Sequence, residues 1–463
     1  MKLNINDNGQ TILLFNLFKK IFFLIIIIYN FIIFYQLKIN SFQINNNYIK
    51  IENNLNMSFH TKISQKINIA IYGHSIQNGG RARITTFLID YLNTIKIFNI
   101  FLFTQLRNQE NEYRIPSNIK RMTIKNNLIK ILKKYKIDIL IYELTNAQEI
   151  DILNRIDDLK VIFYIHSSIF YLIYSNYSYF KSVYKSLTNS EYVISIIPFE
   201  NDYLFEKWGI KSILMNNFMT YEYNHIIPSD LTDYSILMIG RAKDKKKRFE
   251  IGIQAMEYIV EYFPECELKI ISNLTDIDKL EDLIRNVYYK NNIKLIDYTL
   301  TPEIYFRKTS IHFFPSITEG FPLVLSETKI YGIPNILLGI DYISNCKGGT
   351  IMIYDDKSES LAQESINILK NNEYKKNLGK ESRKSMKKFK NELLLNKWIK
   401  LILSIINGNI YYQELKKKDE KLSNEEALKI INNQLNLLKM RKKAFKNITQ
   451  TDFENFSFLE NMI

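Results

Sequence analysis

The sequence predicts an α/β protein that consists of two doubly wound domains behind an N-terminal membrane helix. Short apolar runs alternate along the chain with stretches of helical period, which is typical of parallel sheets. The length of 463 residues fits two or three domains, and a hydrophobic content of 46% excludes wholesale disorder. The two cysteines form neither a metal-ligand spacing nor a disulfide framework.

The first element is an apolar segment that predicts a membrane anchor. Residues 21–35 read IFFLIIIIYNFIIFY and are too short to cross a hydrocarbon core of roughly 30 Å. The predicted span is therefore residues 12–36, within an anchor region of residues 1–40. No small-residue cleavage site follows, which favours an uncleaved anchor. Because basic residues are slightly more frequent before the segment, the positive-inside rule places the N-terminus in the cytoplasm and the rest of the chain in the lumen, which we expect to be that of the endoplasmic reticulum or Golgi.

The first globular domain is predicted over residues 66–225, after a polar, asparagine-rich stem at residues 41–65. Its first strand ends in glycines and is followed by a stretch of helical period. Four more apolar runs, separated by helical stretches, complete the predicted sheet. The five predicted strands are residues 67–72, 98–103, 138–142, 161–165 and 192–197.

The second globular domain is predicted over residues 226–388, after a boundary near residues 220–232 where the periodicity is interrupted. An amphipathic helical tail is predicted over residues 413–463, where Ser423 and Glu426 form a capping box. In open α/β sheets the ligand binds beyond the carboxyl ends of the strands, so functional residues should follow strands. The five predicted strands of this domain are residues 235–239, 267–271, 293–296, 311–314 and 335–338.

The chain has only 14 glycines, so their positions are informative. Gly73, Gly79, Gly80, Gly240 and Gly320 all lie where a strand gives way to a helix, and a backbone that turns sharply or approaches a phosphate there needs a residue without Cβ. No G-x-G-x-x-G follows either first strand and no G-x-x-x-x-G-K-[ST] occurs. The sequence therefore lacks the main signatures of nicotinamide dehydrogenases and of P-loop NTPases.

The formal net charge of +14 is compatible with nucleic acid, anionic lipid or a phosphorylated ligand. The chain is rich in Asn, Lys, Ile and Tyr and poor in Gly and Pro, as in AT-rich coding, and this bias accounts for the surplus more simply. Together with the apolar N-terminal segment, it leads us to predict no nucleic-acid partner.

A motif with two spaced carboxylates is the best candidate for the site. Residues 315–327 read PSITEGFPLVLSE, in which seven residues separate Glu319 from Glu327. If Leu323 begins a helix, Glu319 lies in the preceding loop and Glu327 one turn into the helix. The backbone amides of Leu323 and Val324 then point from the helix N-terminus toward any bound anion.

With this motif, the sequence resembles the nucleotide-sugar-dependent glycosyltransferases of the GT-B fold, particularly the retaining group 4. The resemblance covers roughly residues 67–405 and includes the E-x7-E spacing. Four further motifs occur in the expected order. They are Gly79-Gly80-x-x-Arg83, His166-Ser167, Gly240-Arg241 followed by Lys247-Arg248-Phe249, and Tyr331-Gly332-Ile333-Pro334.

The resemblance implies two Rossmann-like domains that face a cleft, with a crossover helix at residues 389–412. It implies His166 near the reacting carbon and Glu319 on the donor sugar as catalytic residues. The family usually has a lysine five residues after the arginine that matches Arg241. Lys246 fills that position here, whereas Lys247 better fits the Arg248-Phe249 motif that follows. The implied donor-binding residues are Gly80, Arg241, Lys247, Gly320, Phe321, Leu323, Val324 and Glu327, with Arg241 and Lys247 on the diphosphate, Glu327 on the ribose, and no metal.

The predicted function is transfer of a sugar, with retention, from a UDP- or GDP-sugar to a hydroxyl of a glycan, lipid or protein. Beyond this donor substrate no cofactor is expected. An inactive relative that serves as a binding or scaffold subunit at a membrane is the alternative, because the usual glycine near the base is replaced by Ser272-Asn273. The sequence does not specify the sugar, the acceptor or the oligomeric state.

Overall fold

The computed structural model describes the chain from residue 66 to residue 408 with short gaps. Among these residues no helix combines the length and apolar character that a membrane span requires. The predicted anchor, the stem and the tail at residues 413–463 lie outside the described residues, and Ile67 begins one compact unit that contains both sheets. The described ranges are 66–77, 79–107, 112–169, 177–274, 277–299, 301–340, 347–355 and 357–408.

The first lobe is a seven-stranded parallel sheet with the order β3-β2-β1-β4-β5-β6-β7. Its strands are β1 (Ile67–Gly73), β2 (Phe98–Thr104), β3 (Lys120–Thr123), β4 (Ile139–Tyr142), β5 (Lys160–Tyr164), β6 (Tyr192–Ser195) and β7 (Ser212–Leu214). Its helices are α1 (Gly80–Asn93), α2 (Leu128–Lys134), α3 (Ala147–Leu153), α4 (Tyr177–Asn189) and α5 (Pro198–Trp208). The central strands are buried on both faces, which explains their continuous apolar sequences.

The second lobe is a six-stranded parallel sheet with the order β10-β9-β8-β11-β12-β13. Its strands are β8 (Ser235–Ile239), β9 (Glu267–Ser272), β10 (Ile293–Asp297), β11 (Ile311–Phe314), β12 (Asn335–Leu338) and β13 (Thr350–Ile353). Its helices are α6 (Phe249–Tyr262), α7 (Asp278–Arg285), α8 (Glu303–Phe306), α9 (Leu323–Ile330), α10 (Ser358–Lys370) and α11 (Asn372–Ser385), and α12 (Asn391–Ile406) follows them. Both sheets are doubly wound, which confirms the predicted pair of parallel α/β domains.

Helix α12 returns to the first lobe. Its buried Trp398 ring lies 5.6 Å from the ring of Tyr164 on β5. At its start, the Asn391 amide donates to the backbone oxygen of Met219 at 2.9 Å and to the Tyr91 hydroxyl at 2.8 Å. The first residue of α12 therefore fastens the segment between the lobes to helix α1.

An arginine helps to fasten the same connecting segment to the second lobe. Arg383 on α11 donates to the backbone oxygens of Tyr223 at 2.9 Å and Ile226 at 2.8 Å. Its guanidinium also lies over the Tyr223 ring, 4.7 Å from the ring centroid. The connection between the lobes is thus held at both of its ends by side chains.

Candidate active site

The carboxyl ends of the two sheets border one cavity of about 700 Å³. Its lining comes from loops and helix starts of both lobes, which is where the rule for open α/β sheets places ligands. Nine of the ten predicted site residues line it, and Glu327 lies outside the lining. The nine are Gly80, His166, Arg241, Lys247, Glu319, Gly320, Phe321, Leu323 and Val324.

An ion pair at the second-lobe wall joins two of the motifs. The Lys247 ammonium lies 2.5 Å from a carboxylate oxygen of Glu319, and both side chains are largely shielded from solvent. Lys247 ends a single 3-10 turn, residues 245–247, whose preceding Asp244 accepts the Lys246 amide at 3.2 Å. This turn directs the Lys247 ammonium onto Glu319, although Lys246 also lines the cavity.

Arg241 supplies a second cation that is far more accessible. It follows β8 and its side chain is 70% exposed, with one guanidinium nitrogen 3.4 Å from Asp244. An exposed pair at that distance contributes little to stability. The guanidinium is therefore able to reorient toward an anion in the cavity at small cost.

The N-terminus of α9 completes this wall. Pro322 is its N-cap and has no amide hydrogen to offer. The amides of Leu323 and Val324 are the first two of the helix and have no partner within it. Both residues line the cavity, so the partial positive charge of the helix start adds to the two cations.

The two lobes touch directly beside Glu319. A Cβ atom at Gly320 would lie 2.6 Å from the backbone oxygen of His166 and 2.7 Å from Ile196 Cδ1. The Asn217 amide donates to the backbone oxygen of Phe321 at 3.2 Å. Gly320 is thus the residue that permits this close approach between the lobes.

His166 follows β5 and faces a buried carboxylate. Its Nε2 lies 3.1 Å from Glu143 Oε1, and Glu143 also accepts the Thr85 hydroxyl at 2.9 and 3.0 Å. His166 Nδ1 is buried and has no hydrogen-bond partner among the described residues. The sequence analysis missed Glu143, although it directly follows the buried strand β4 and so satisfies the rule that functional residues follow strands.

Glu327 lies in α9 and bonds across the lobes. Its carboxylate accepts a hydrogen bond from Arg83 of α1 at 3.0 Å; the Glu327 side chain is 4% exposed and that of Arg83 is 30% exposed. Burial raises the pKa of the nearby Tyr221 hydroxyl, and the charge of Glu327 raises it further. The sequence motifs contain both Arg83 and Glu327 but do not show that they pair.

Two tyrosines missed by the sequence analysis border the outer part of the cavity. Tyr298 follows β10, and Tyr113 belongs to the first lobe. Burial raises the pKa of Tyr298, and the neighbouring Tyr113 hydroxyl raises it further. A large aromatic side chain after a strand, half exposed within a cavity, was the available signal for Tyr298.

Comparison with known proteins places this site in a family context. The family described as "Glycosyl transferases group 1" matches residues 222–385. An uncharacterized glycosyltransferase of Haemophilus influenzae is 21% identical over 263 residues, which are 53% of this chain and 70% of the relative. The range that the family matches, residues 222–385, contains Arg241, Lys247, Glu319 and Glu327, so the resemblance inferred from the motifs is confirmed.

Two solved structures share the fold. Sucrose-phosphate synthase of Thermosynechococcus elongatus has a TM-score of 0.64 at 14% identity, over 74% of this chain and all of that one. HepE of Anabaena in complex with UDP-glucose has a TM-score of 0.59 at 13% identity, over 73% of this chain and all of that one. At these identities the likeness establishes the GT-B arrangement of the two lobes.

Proposed function

Because this chain carries a group 1 glycosyltransferase region within a GT-B fold, we propose that it transfers a sugar, with retention, from a nucleoside diphosphate sugar to a hydroxyl acceptor. One observation carries the proposal. Arg241, the Lys247–Glu319 pair and the start of α9 meet His166 of the other lobe in a single cavity. A pyrophosphate with a sugar attached needs this combination of cations, amides and hydroxyl-binding groups.

The donor diphosphate fits the second-lobe wall. Arg241 offers a fork of donors that matches phosphate oxygens, and Lys247 offers a compact charge. The Leu323 and Val324 amides add donors that are fixed before the reaction begins. Such preorganised groups stabilise the negative charge that develops on the leaving diphosphate. In this proposal they do so without a metal.

The sugar then lies between Glu319 and His166. Glu319 is held by Lys247, so it is placed to accept hydrogen bonds from sugar hydroxyls rather than to attack the anomeric carbon. In the proposed front-face reaction, the bond from the anomeric carbon to the phosphate oxygen breaks. The acceptor oxygen bonds to that carbon on the same face, and its proton passes to the leaving phosphate. The protein contributes mainly position and electrostatic stabilisation.

The donor base is proposed to be uracil or guanine. The structural neighbour HepE was solved in complex with UDP-glucose, which supports a UDP-sugar as the first donor to test. The acceptor is proposed to be a glycan, lipid or protein hydroxyl. Anchoring through residues 12–36 is proposed from the apolar sequence, and a lumenal catalytic part from the basic residues that flank it.

A donor panel tests the proposal. Full-length protein in detergent is incubated with individual UDP- and GDP-sugars, with and without a chelator, and the released nucleoside diphosphate is measured. With water as the acceptor, we expect release from one donor at a rate unaffected by the chelator, and NMR recorded before the released sugar mutarotates should show the donor's anomeric configuration. Binding of a nucleotide without any turnover would instead favour an inactive binding subunit.

A further inference from the structure

The buried carboxylate beside His166 has no role in the function proposed above. We propose that Glu143 is a positioning residue that keeps the His166 ring protonated at Nε2 and presents Nδ1 to the cavity as an acceptor for a hydroxyl of the donor sugar. The identity of the hydroxyl donor rests on the proposed function. The tautomer itself does not.

The contacts of Glu143 determine which nitrogen carries the hydrogen. An ionised carboxylate can only accept hydrogen bonds, and Glu143 receives them from Thr85 and from the Nε2 side of His166. Nε2 lies 3.1 Å from the carboxylate, so it must be the donor. In a neutral imidazole the other nitrogen, Nδ1, then carries a lone pair and accepts.

Nδ1 is a buried polar atom without a partner among the described residues. Such atoms are uncommon in folded proteins, because a buried polar atom without a partner loses its hydrogen bond to water and gains none in return. The His166 side chain is only 7% exposed but borders the cavity. A ligand hydroxyl is the group that this position lacks, and sugars present several.

The ring and the carboxylate are both held in place. The Tyr164 ring lies 4.0 Å from the His166 ring and covers it. A Cβ atom at Gly73 would lie 2.7 Å from Glu143 Oε2, so the end of β1 closes against the carboxylate. Gly73, singled out by its place after a strand, is therefore explained by the space that Glu143 needs.

This arrangement makes His166 a hydrogen-bond acceptor toward the ligand. Without Glu143, both tautomers of the ring become accessible, and one of them turns an Nδ1 hydrogen toward the hydroxyl. Removal of Glu143 should therefore leave the His166 imidazole in place, but with its hydrogen on either nitrogen.

The direct test is nitrogen-15 NMR of the histidine rings in full-length protein at neutral pH, without ligand. The chain has five histidines, and a His166→Phe variant identifies the His166 signals. We expect one protonated nitrogen and one bare nitrogen, with the proton on Nε2. A proton on Nδ1 alone, or on both nitrogens, overturns the proposal without any variant of Glu143.

A variant pair then tests cause and consequence. Glu143→Met removes the acceptor at similar length and should give a mixture of tautomers. Glu149→Met is the matched control, because Glu149 is a carboxylate of the same lobe that accepts the Tyr142 hydroxyl. With the donor that the panel identifies, Glu143→Met should lower turnover about 10- to 100-fold, by analogy with carboxylates that orient metal-bound histidines. An unchanged tautomer in folded Glu143→Met contradicts the positioning role.

The proposed glycosyltransferase function and the proposed His166 tautomer can be refuted independently of each other. An Nε2-protonated ring together with silence across the donor panel would overturn the glycosyltransferase function and keep the tautomer assignment. Turnover of a donor by a protein whose His166 ring is protonated at Nδ1 would overturn the tautomer assignment and keep the glycosyltransferase function.

Discussion

The ion pair between Arg83 and Glu327 joins the two lobes, and its removal should destabilise the protein measurably. The perturbation is Arg83→Met, which deletes the guanidinium and keeps most of the aliphatic stem. Glu327 would then remain as a buried carboxylate, 4% exposed, without its cross-lobe partner. Removing one partner of a fully buried pair costs about 3–5 kcal/mol.

The expected magnitude here is smaller because Arg83 is partly exposed. At 3.0 Å and an effective dielectric constant of about 20, the gross attraction is about 5–6 kcal/mol, most of which desolvation offsets. Since the Arg83 side chain is 30% exposed, we expect a net loss of about 2 kcal/mol in the free energy of unfolding. A double-mutant cycle with Glu327→Gln should recover a coupling energy of similar size.

Urea unfolding measures this free energy, with Arg285→Met as the matched control. Arg285 pairs with Asp282 at 2.7 Å, but both side chains are well exposed. Its loss should cost less than about 1 kcal/mol. If Arg83→Met is no more destabilising than Arg285→Met, or if the cycle shows no coupling, the cross-lobe pair does not stabilise the closed arrangement of the lobes.

Two further predictions concern close packing and pH. Gly320→Ala should lower transfer at least about tenfold in initial-rate assays, because its Cβ would meet the His166 backbone oxygen at 2.6 Å and displace the lobes; a normal rate would show that the contact is not required. Burial lowers the pKa of His312 from 6.5 to about 4. The contribution of the neutral His312 ring to the free energy of unfolding is therefore fully present above pH 6.5 and is lost as the pH falls toward 4. This loss amounts to up to about 3 kcal/mol, and thermal unfolding of a folded His312→Phe variant should show a weaker dependence over that pH window.

The sequence predicted the interior of both sheets well and their edges poorly. All ten predicted strands form, because buried parallel strands are continuous apolar runs that stand out from their surroundings. The three strands that were missed, Lys120–Thr123, Ser212–Leu214 and Thr350–Ile353, lie at sheet edges. Lys120–Thr123 is polar and Ser212–Leu214 has only three residues, since an edge strand has one neighbour and needs less apolar surface. Thr350–Ile353 is as long and as apolar as the predicted strand β12, so its composition does not explain why it was missed.

The candidate site was predictable where the residues lie in one contiguous motif. Residues 319–327 give a carboxylate, a glycine and a helix start in order, and the structure places most of them at the cavity. Pairings across the fold were not predictable. Arg83 and Glu327 are 244 positions apart, and Glu143 meets Thr85 at a separation of 58 positions and His166 at 23. Such contacts depend on how the lobes close, which no local pattern records.

Donor turnover by the Glu319→Gln variant shows whether sugar transfer takes place in this cavity. Full-length wild type, Glu319→Gln and the control Glu359→Gln are compared on the donor that the panel identifies. Glu359 is a carboxylate of the same lobe on the first turn of α10, where it accepts the Tyr258 hydroxyl. We expect only Glu319→Gln to lose release of the nucleoside diphosphate, by about 100-fold or more, while all three proteins remain folded at the assay temperature in a thermal unfolding measurement. Equal release by all three proteins would contradict the placement of the reaction in this cavity.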